Sequence, residues 1–340
     1  MPITSDTKKL FLFYLAPEFT MLAFTSALEA LRLANQVVGQ EVYDWRIVSS
    51  DGKPVRASCG LSISPDISLA EARGMRQVGA RLDMAIVCAG RNVQRHIDKS
   101  LDKWLRECRV KRIPVGAICT GPYLLAHAGL LEGKRCTIHW ENLPAFLEAF
   151  SDIQASPQLY EVDDGIYTCA GGTSSLDLML HIIAEDHGPD IAREICQQAI
   201  VGVVRHRSER QRVPLSLSQD IKNNTLKAII ELMEENVTRT LPLTLLAKKV
   251  GISRRQMERY FHVNTGCSPS RFYLKLRVER AKALLEQTAM PVVEVAVACG
   301  FTSSSHFAKV YRSNEGKSPI QARRPKHPNG IMSSSAAMSA

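Results

Sequence analysis

A cysteine at position 119 stands where a nucleophile would be built. The run Val115-Gly116-Ala117-Ile118-Cys119-Thr120-Gly121-Pro122-Tyr123-Leu124 reads as a buried strand that ends at the cysteine and a helix that starts at the proline. A thiol held on such a turn sits at a helix N-terminus, where the dipole favours thiolate. The arrangement is the cysteine counterpart of a nucleophile elbow. His139, 20 residues on, is the candidate base. A triad also needs a group to orient that base, and Glu141 and Glu18 are the two candidates. Gly90 and Thr120 are placed to offer backbone N–H groups to an oxyanion or to a ligand carboxylate. Tyr123 and Trp140 are candidate aromatic surfaces for a quaternary ammonium group, with core packing as the alternative for each. For His139 the alternative is a satisfied structural histidine. Gly171-Gly172-Thr173-Ser174 either lines the same pocket or makes a tight turn with a helix cap.

A second chemistry, the reading of base edges, is written twice near the C-terminus. One stretch runs Gly251-Ile252-Ser253-Arg254-Arg255-Gln256-Met257-Glu258-Arg259-Tyr260-Phe261 and reaches Gly266, Ser268 and Pro269. The other runs Gly300-Phe301-Thr302-Ser303-Ser304-Ser305-His306-Phe307-Ala308-Lys309-Val310-Tyr311 and reaches Gly316, Ser318 and Pro319. Each is an apolar helix, a glycine turn, a hydroxyl cap and a second helix, the layout of a helix-turn-helix. Ser253 with Gln256 makes a capping box, and Thr302 is the expected cap of the second copy. Met257, Tyr260 and Phe261 are spaced for burial, which leaves Arg254, Arg255, Glu258 and Arg259 outward. In the second copy Ser304, Ser305, His306 and Lys309 face out. Arg271 to Gln287 is the stiff spacer, with Leu274, Val278, Ala281 and Leu285 inward. Arg323 is expected at a phosphate.

The elements that must hold these groups fall into two domains, as 340 residues suggest. Residues 221–327 hold 19 Lys/Arg and 8 Asp/Glu, a net of +11, while the rest of the chain nets −2. Basicity confined to the half with the repeats is the footprint of phosphate binding. In the N-terminal half short apolar runs (Lys9 to Leu15, Trp45 to Ser49, Met84 to Cys88, Ile113 to Ile118, Tyr167 to Cys169) alternate with helical stretches. That alternation predicts a parallel sheet covered on both faces. The charge run Arg205 to Arg212 reads as a domain boundary whose side chains are solvated or touch DNA backbone. The expected division is a domain over 1–210, a linker over 211–224, a helical domain over 225–327 and a disordered tail over 328–340. Nine scattered cysteines without a CxxC pair indicate neither a disulfide framework nor a zinc site, and no cofactor is expected. All except Cys119 are read as small buried hydrophobes. A signal peptide and a membrane span are not read either, so the expected location is the cytoplasm.

Residues 225–324 resemble the AraC/XylS DNA-binding domain, including its Gly-Phe-Thr and Gly-Lys-Ser-Pro signature. The resemblance implies a transcription regulator, with promoter DNA and RNA polymerase as partners and a homodimer formed through the sensor domain. By position it implies base reading by Arg255, Glu258 and Arg259, and by Ser304, Ser305, His306 and Lys309. The N-terminal half resembles the class I glutamine-amidotransferase-like superfamily, in the branch holding the parkinsonism-associated protein and intracellular protease I. The Ala-Ile-Cys-x-Gly-Pro elbow and the Cys-to-His spacing carry that likeness, which implies a flavodoxin-like α/β fold. That branch holds a glutamate after the first strand; aligning on Leu28-Glu29-Ala30-Leu31-Arg32 puts the position nearer Thr20 or Met21 than Glu18. Ser49-Ser50-Asp51-Gly52, Ile138-His139-Trp140-Glu141, Gly171-Gly172-Thr173 and Ser253-Arg254-Arg255-Gln256 look closest to the regulators of glycine betaine and carnitine catabolism. The resulting expectation is an activator with a non-catalytic effector pocket for a small quaternary amine or amino-acid derivative. The alternative is an active cysteine hydrolase fused to a DNA-binding domain.

Overall fold

Lys9–Leu15 forms β1, in the middle of a sheet, because both of its faces are apolar. Phe11, Phe13 and Leu15 join one core layer, and Leu12 and Tyr14 join the other. This computed structural model describes residues 8–75, 81–211, 223–288 and 290–323. The chain divides into two units, Met1–Val213 and Pro214–Ala340. Of the linker expected over 211–224, positions 212–222 lie outside the described residues, as does the whole expected tail.

After β1 the first unit runs through α1 (Met21–Val38), β2 (Tyr43–Ser49), a ribbon of β3 (Val55–Arg56) and β4 (Ser62–Ile63), β5 (Ile67–Ser68) and α2 (Leu69–Gly74). It continues with β6 (Met84–Cys88), α3 (Lys99–Val110), β7 (Val115–Ile118), α4 (Pro122–His127), β8 (Arg135–Thr137), α5 (Leu143–Ala149) and β9 (Gln154–Ser156). It closes with β10 (Tyr160–Asp163), β11 (Ile166–Cys169), α6 (Ser174–His187) and α7 (Pro189–Gln198). The main sheet has the order β10-β11-β7-β6-β1-β2-β5. Every pairing in it is parallel except the β10–β11 edge. Residues of α1, α6 and α7 pack on one face and residues of α2, α3, α4 and α5 on the other. Chain order reverses between β1 and β6, so the crevice beyond their C-terminal ends is the place where an open α/β sheet takes its ligand. The elbow at Cys119 follows β7, the next strand across.

The charge run after α7 is not a free boundary. Arg205 donates through Nε and Nη2 to Asp177 Oδ2 at 3.0 and 2.6 Å, and through Nη2 to Thr173 Oγ1 at 2.7 Å. Leu159 N–H donates to Glu209 O at 2.9 Å, and Gln211 N–H to Pro157 O at 3.0 Å. The segment is therefore stitched to the first unit through Gln211, because the buried Asp177 carboxylate needs a cation.

The second unit comprises α8 (Asn224–Glu235), α9 (Leu243–Lys249), α10 (Arg254–Thr265), α11 (Pro269–Gln287), α12 (Val292–Ala298), α13 (Ser304–Glu315) and α14 (Pro319–Arg323). Leu226, Ile230, Leu246, Met257, Phe261 and Phe272 share one core. The inner face of α11 is led by Phe272, Tyr273, Val278, Ala281, Leu284 and Leu285, with Leu274 only half-buried. The cap of α13 is Ser303, which accepts from His306 N–H, and not Thr302. Among the cysteines Cys59 is exposed and Cys267 half-buried; the other seven are buried.

The glycines that open the two repeats are held differently. Both have left-handed backbones, φ 73° at Gly251 and 74° at Gly300. A Cβ on Gly251 would meet open space, whereas one on Gly300 would lie 2.8 Å from the carbonyl oxygens of Val237 and Thr238. Gly251→Ala is expected to cost ~1 kcal/mol, the backbone term alone. Gly300→Ala is expected to cost at least ~2 kcal/mol more, because backbone must move. Urea unfolding of the two variants checks this; equal losses would show that the Gly300 turn is not packed as described.

Candidate functional site

Cys119 is a left-handed, non-glycine residue (φ 63°), which fits a nucleophile elbow. Its own N–H donates to Cys169 O at 3.0 Å, and its carbonyl accepts from His139 N–H at 3.0 Å. Gly171 (φ 84°) presses on it so closely that a Cβ there would lie 2.5 Å from Cys119 Cβ. Thr120 Oγ1 donates to Gly90 O at 2.7 Å. Gly90 itself has no room for a side chain, since a Cβ would lie 2.2 Å from Glu18 O. The turn is thus fixed from three other segments at once.

The thiol is not a thiolate. Cys119 is 5% exposed, and burial pushes its pKa up to about 11, against smaller opposing contributions from the Thr20 hydroxyl and the Thr120 N–H. The expected dipole effect is outweighed by this burial. Cys119 Sγ and Thr20 Oγ1 share a hydrogen bond at 3.4 Å. Position 20 is one of the two places, with Met21, where the alignment on Leu28-Glu29-Ala30-Leu31-Arg32 put the family's glutamate; the residue there is a neutral hydroxyl. Glu18, also left-handed (φ 59°), turns to other partners, its Oε2 accepting from Asn92 Nδ2 at 2.7 Å and lying 3.4 Å from His96 Nε2. The Asn92 bond first, then His96, holds its carboxyl below the usual range.

His139 serves the elbow through its backbone. Its ring lies tilted beside Trp140, with centroids 5.6 Å apart, and its Nδ1 is 3.9 Å from Glu141 Oε2. Burial lowers its pKa, so the ring is neutral near pH 7. Trp140 is half-buried. Tyr123 packs edge-on against Phe150 at 5.1 Å and Phe146 at 6.4 Å, the core-packing alternative. Thr20, which completes the thiol's surroundings, was legible only through that alignment.

In the second unit α10 is closed by a reciprocal capping box. Gln256 N–H donates to Ser253 Oγ at 3.2 Å, and Ser253 N–H to Gln256 Oε1 at 2.9 Å. Met257 and Phe261 are buried and Tyr260 is half-buried; Arg254, Arg255, Glu258 and Arg259 are exposed. Arg254 Nε donates to Glu258 Oε1 at 3.0 Å, so that carboxylate is engaged within its own helix. On α13 Phe307 and Tyr311 are buried, and Ser304, Ser305, His306 and Lys309 are exposed. The Arg277 guanidinium stacks over the Phe301 ring at 3.8 Å and its Nε donates to Cys299 O at 2.8 Å. That contact ties the second turn to the spacer helix. Arg323 turns its Nε and Nη2 inward, where they are buried, which does not suit the expected phosphate contact.

A family model described as the DJ-1/PfpI family matches residues 9–185. The chain belongs to the DJ-1/PfpI family. A model described as a helix-turn-helix domain matches residues 246–325, and the second unit is of the AraC type. The chain is 41% identical over 312 residues to the HTH-type transcriptional regulator GbdR of Pseudomonas aeruginosa, covering 92% of this chain and 83% of that protein. It is 39% identical to the HTH-type transcriptional regulator CdhR of the same species, with 92% and 91% covered. To the HTH-type transcriptional regulator GlxA of Rhizobium meliloti it is 32% identical, with 92% and 94% covered. An AraC family transcriptional regulator from Pseudomonas putida matches in structure with a TM-score of 0.50 and 25% identity, over 56% of this chain and 99% of that one. Among the described residues no helix is long and apolar enough to cross a membrane, and no His/Cys/Asp/Glu group is arranged to hold a metal ion.

Within this DJ-1/PfpI unit the thiol holds its proton more tightly folded than unfolded. Its contribution to stability is therefore whole below the ordinary thiol pKa of 9.0 and is lost as pH rises through about 11. Alkylation of Cys119 by iodoacetamide, read by mass spectrometry with Cys59 as the exposed reference, is expected to rise about tenfold per pH unit and to level off only near 11. A plateau already reached below pH 8 would overturn the protonated assignment.

Proposed function

We propose that this chain is a ligand-responsive transcription regulator in which α10 and α13 bind promoter DNA and the Cys119 elbow floors an effector pocket without acting as a nucleophile. The observation that carries the reading is a pair of capped helices with polar outer faces on one buried frame, in a chain whose elbow thiol is protonated and bonded to a threonine. A recognition helix enters the major groove by its N-terminal turns, where Arg, Ser and His side chains reach base edges. Arg255 and Arg259 make α10 the stronger base reader. Ser304, Ser305, His306 and Lys309 give α13 a more positional part, with Arg254 and Glu258 available once their ion pair opens onto DNA.

The effector we assign is a quaternary amine or amino-acid derivative such as glycine betaine or carnitine. Its carboxylate would meet the backbone near Thr120 and Gly90, and its cation the half-buried Trp140 face. That assignment rests on the motif resemblance and on Trp140. The reading extends to a homodimer that contacts RNA polymerase as an activator; both partners rest on the resemblance. Catalysis is not part of it, because Glu18 is engaged away from the sulfur and His139 meets the elbow through its backbone.

Arg259→Ala is expected to lose ~1–3 kcal/mol of operator affinity, about 5- to 150-fold, and to relax the sequence preference at one position. Gel-shift titration against an operator and its single-base variants checks this, and unchanged affinity with unchanged preference would remove Arg259 from the interface. For the pocket, the melting temperature is expected to rise by several degrees with glycine betaine or carnitine at 100 times Kd, where native-state binding adds about 2.7 kcal/mol. Cys119→Ala is expected to keep both that shift and promoter activation. Loss of activation with folding and effector binding intact would establish chemistry at the thiol.

A further inference from the structure

The Ile138–His139 peptide group is gripped from both sides. Its N–H, on His139, donates to Cys119 O at 3.0 Å. Its carbonyl, on Ile138, accepts from Gln211 Nε2 at 2.9 Å. Peptide groups are planar, so the group cannot rotate toward a ligand without releasing both bonds. The same Gln211 amide nitrogen also lies 2.7 Å from Thr137 Oγ1 and 2.9 Å from Gln158 O, so its two hydrogens are shared among three acceptors. At the other end of the segment, Arg205 reaches Thr173 Oγ1 at 2.7 Å and the Asp177 carboxylate, which is 3% exposed. Thr173 follows Gly171 and Gly172, and Gly171 is the residue pressed on Cys119. Both loops that border the elbow are thereby bonded to one segment, Arg205 to Gln211. In sequence that segment is the last part of the first unit before the chain goes on to the DNA-binding helices.

We infer that Arg205–Gln211 is a coupling strap, with Arg205 and Gln211 as the positioning residues that convert a movement of the elbow loops into a change in the chain leading to the DNA-binding unit. The inference rests on the elbow being the effector site. An effector that displaced His139 or the Gly171–Thr173 turn would have to break or re-aim the Gln211 and Arg205 bonds. The intervening side chains His206, Arg207 and Ser208 are exposed, so the strap is held at its two ends and by its backbone, where release is local.

Two measurements on the full chain test the strap. The first needs no effector: native-state amide hydrogen exchange in Gln211→Leu, which removes the donating amide, and in Thr173→Val, which removes only the hydroxyl bonded by Arg205. In Gln211→Leu the amides of His139 and Leu159 are expected to exchange at least tenfold faster, while Phe13 and Ile86 in the central strands keep their wild-type rates. In Thr173→Val the acceleration is expected at Ser174 and at Arg205, whose N–H donates to Asp177 Oδ1 at 3.0 Å. Acceleration confined to Leu159, with His139 unchanged, would overturn the coupling. Slower folding or a general rise across the sheet in Gln211→Leu would transfer the decision to Thr173→Val, which is nearly isosteric. The second measurement is promoter output with glycine betaine as probe. Both variants are expected to lose at least fivefold of the induced-to-basal ratio while keeping the wild-type melting shift and operator affinity; a wild-type ratio would overturn the strap. If the wild type itself ignores glycine betaine, the effector assignment fails, and the exchange result still decides the strap.

Discussion

The left-handed turn at Cys119 is the constraint around which the first unit is arranged. A residue with a Cβ occupies this conformation only when its surroundings over-determine it. Four residues from three segments do so: Cys169 O takes its N–H, His139 gives an N–H to its carbonyl, Gly171 fills the space beside its Cβ, and Thr20 meets its sulfur. Cys169 and Gly171 lie at the end of β11, His139 follows β8 and Thr20 precedes α1, so the sheet must have its order before the turn can exist. The glycine at 171 follows from the same demand, since its positive φ and the 2.5 Å approach both exclude a side chain. What the sequence presents as separate motifs is one packing solution.

At that turn two electrostatic effects oppose each other, and their sizes decide the chemistry. A helix N-terminus stabilises a negative charge by ~0.3–1 kcal/mol in most settings. Raising a thiol from 9.0 to about 11 corresponds to ~3 kcal/mol against the thiolate. Burial therefore wins, and the neutral Thr20 hydroxyl supplies no charge to reverse it. The group that meets the sulfur is that hydroxyl, while the Glu141 carboxylate lies 3.9 Å from His139 Nδ1. The geometry of an elbow is kept, while burial and a neutral neighbour leave its thiol protonated.

Elements written in local pattern were legible: β1 and β6 have the expected bounds, and the Ser253 capping box forms with both of its bonds. Such features depend on residues within one turn or one strand. Features that depend on distant partners were not. The choice of Ser303 over Thr302 as cap turns on where the α13 N–H groups point, one residue apart in a run of hydroxyls. The inward shift of α11 to Phe272 and Tyr273 follows from the first motif's core and from Tyr273 OH, which donates to Asn236 O at 2.7 Å. The charge run from Arg205 looked like a boundary because composition cannot show that Asp177, 28 residues earlier, is buried and needs a cation. Within the site, Cys119 and His139 were found together, but their relation is backbone to backbone, and spacing alone cannot distinguish that from a catalytic dyad.

The two helix-turn-helix motifs are unequal in packing as well as in side chains. Thr238 Oγ1 donates to Ala298 O at 3.2 Å, the Val237 and Thr238 carbonyls crowd Gly300, and Arg277 caps Cys299 while stacking on Phe301. Arg277 is half-buried with its pKa lowered by burial, so its charge serves structure and is not available to phosphate. The second motif is therefore docked on the segment between α8 and α9 and on the spacer, while Gly251 has open space around it. A motif whose angle is fixed by its neighbour does not need long, adaptable side chains to find its groove. On the proposed DNA-binding reading, short serines at 304 and 305 settle it against the duplex, and the longer arginines of α10 carry the discrimination.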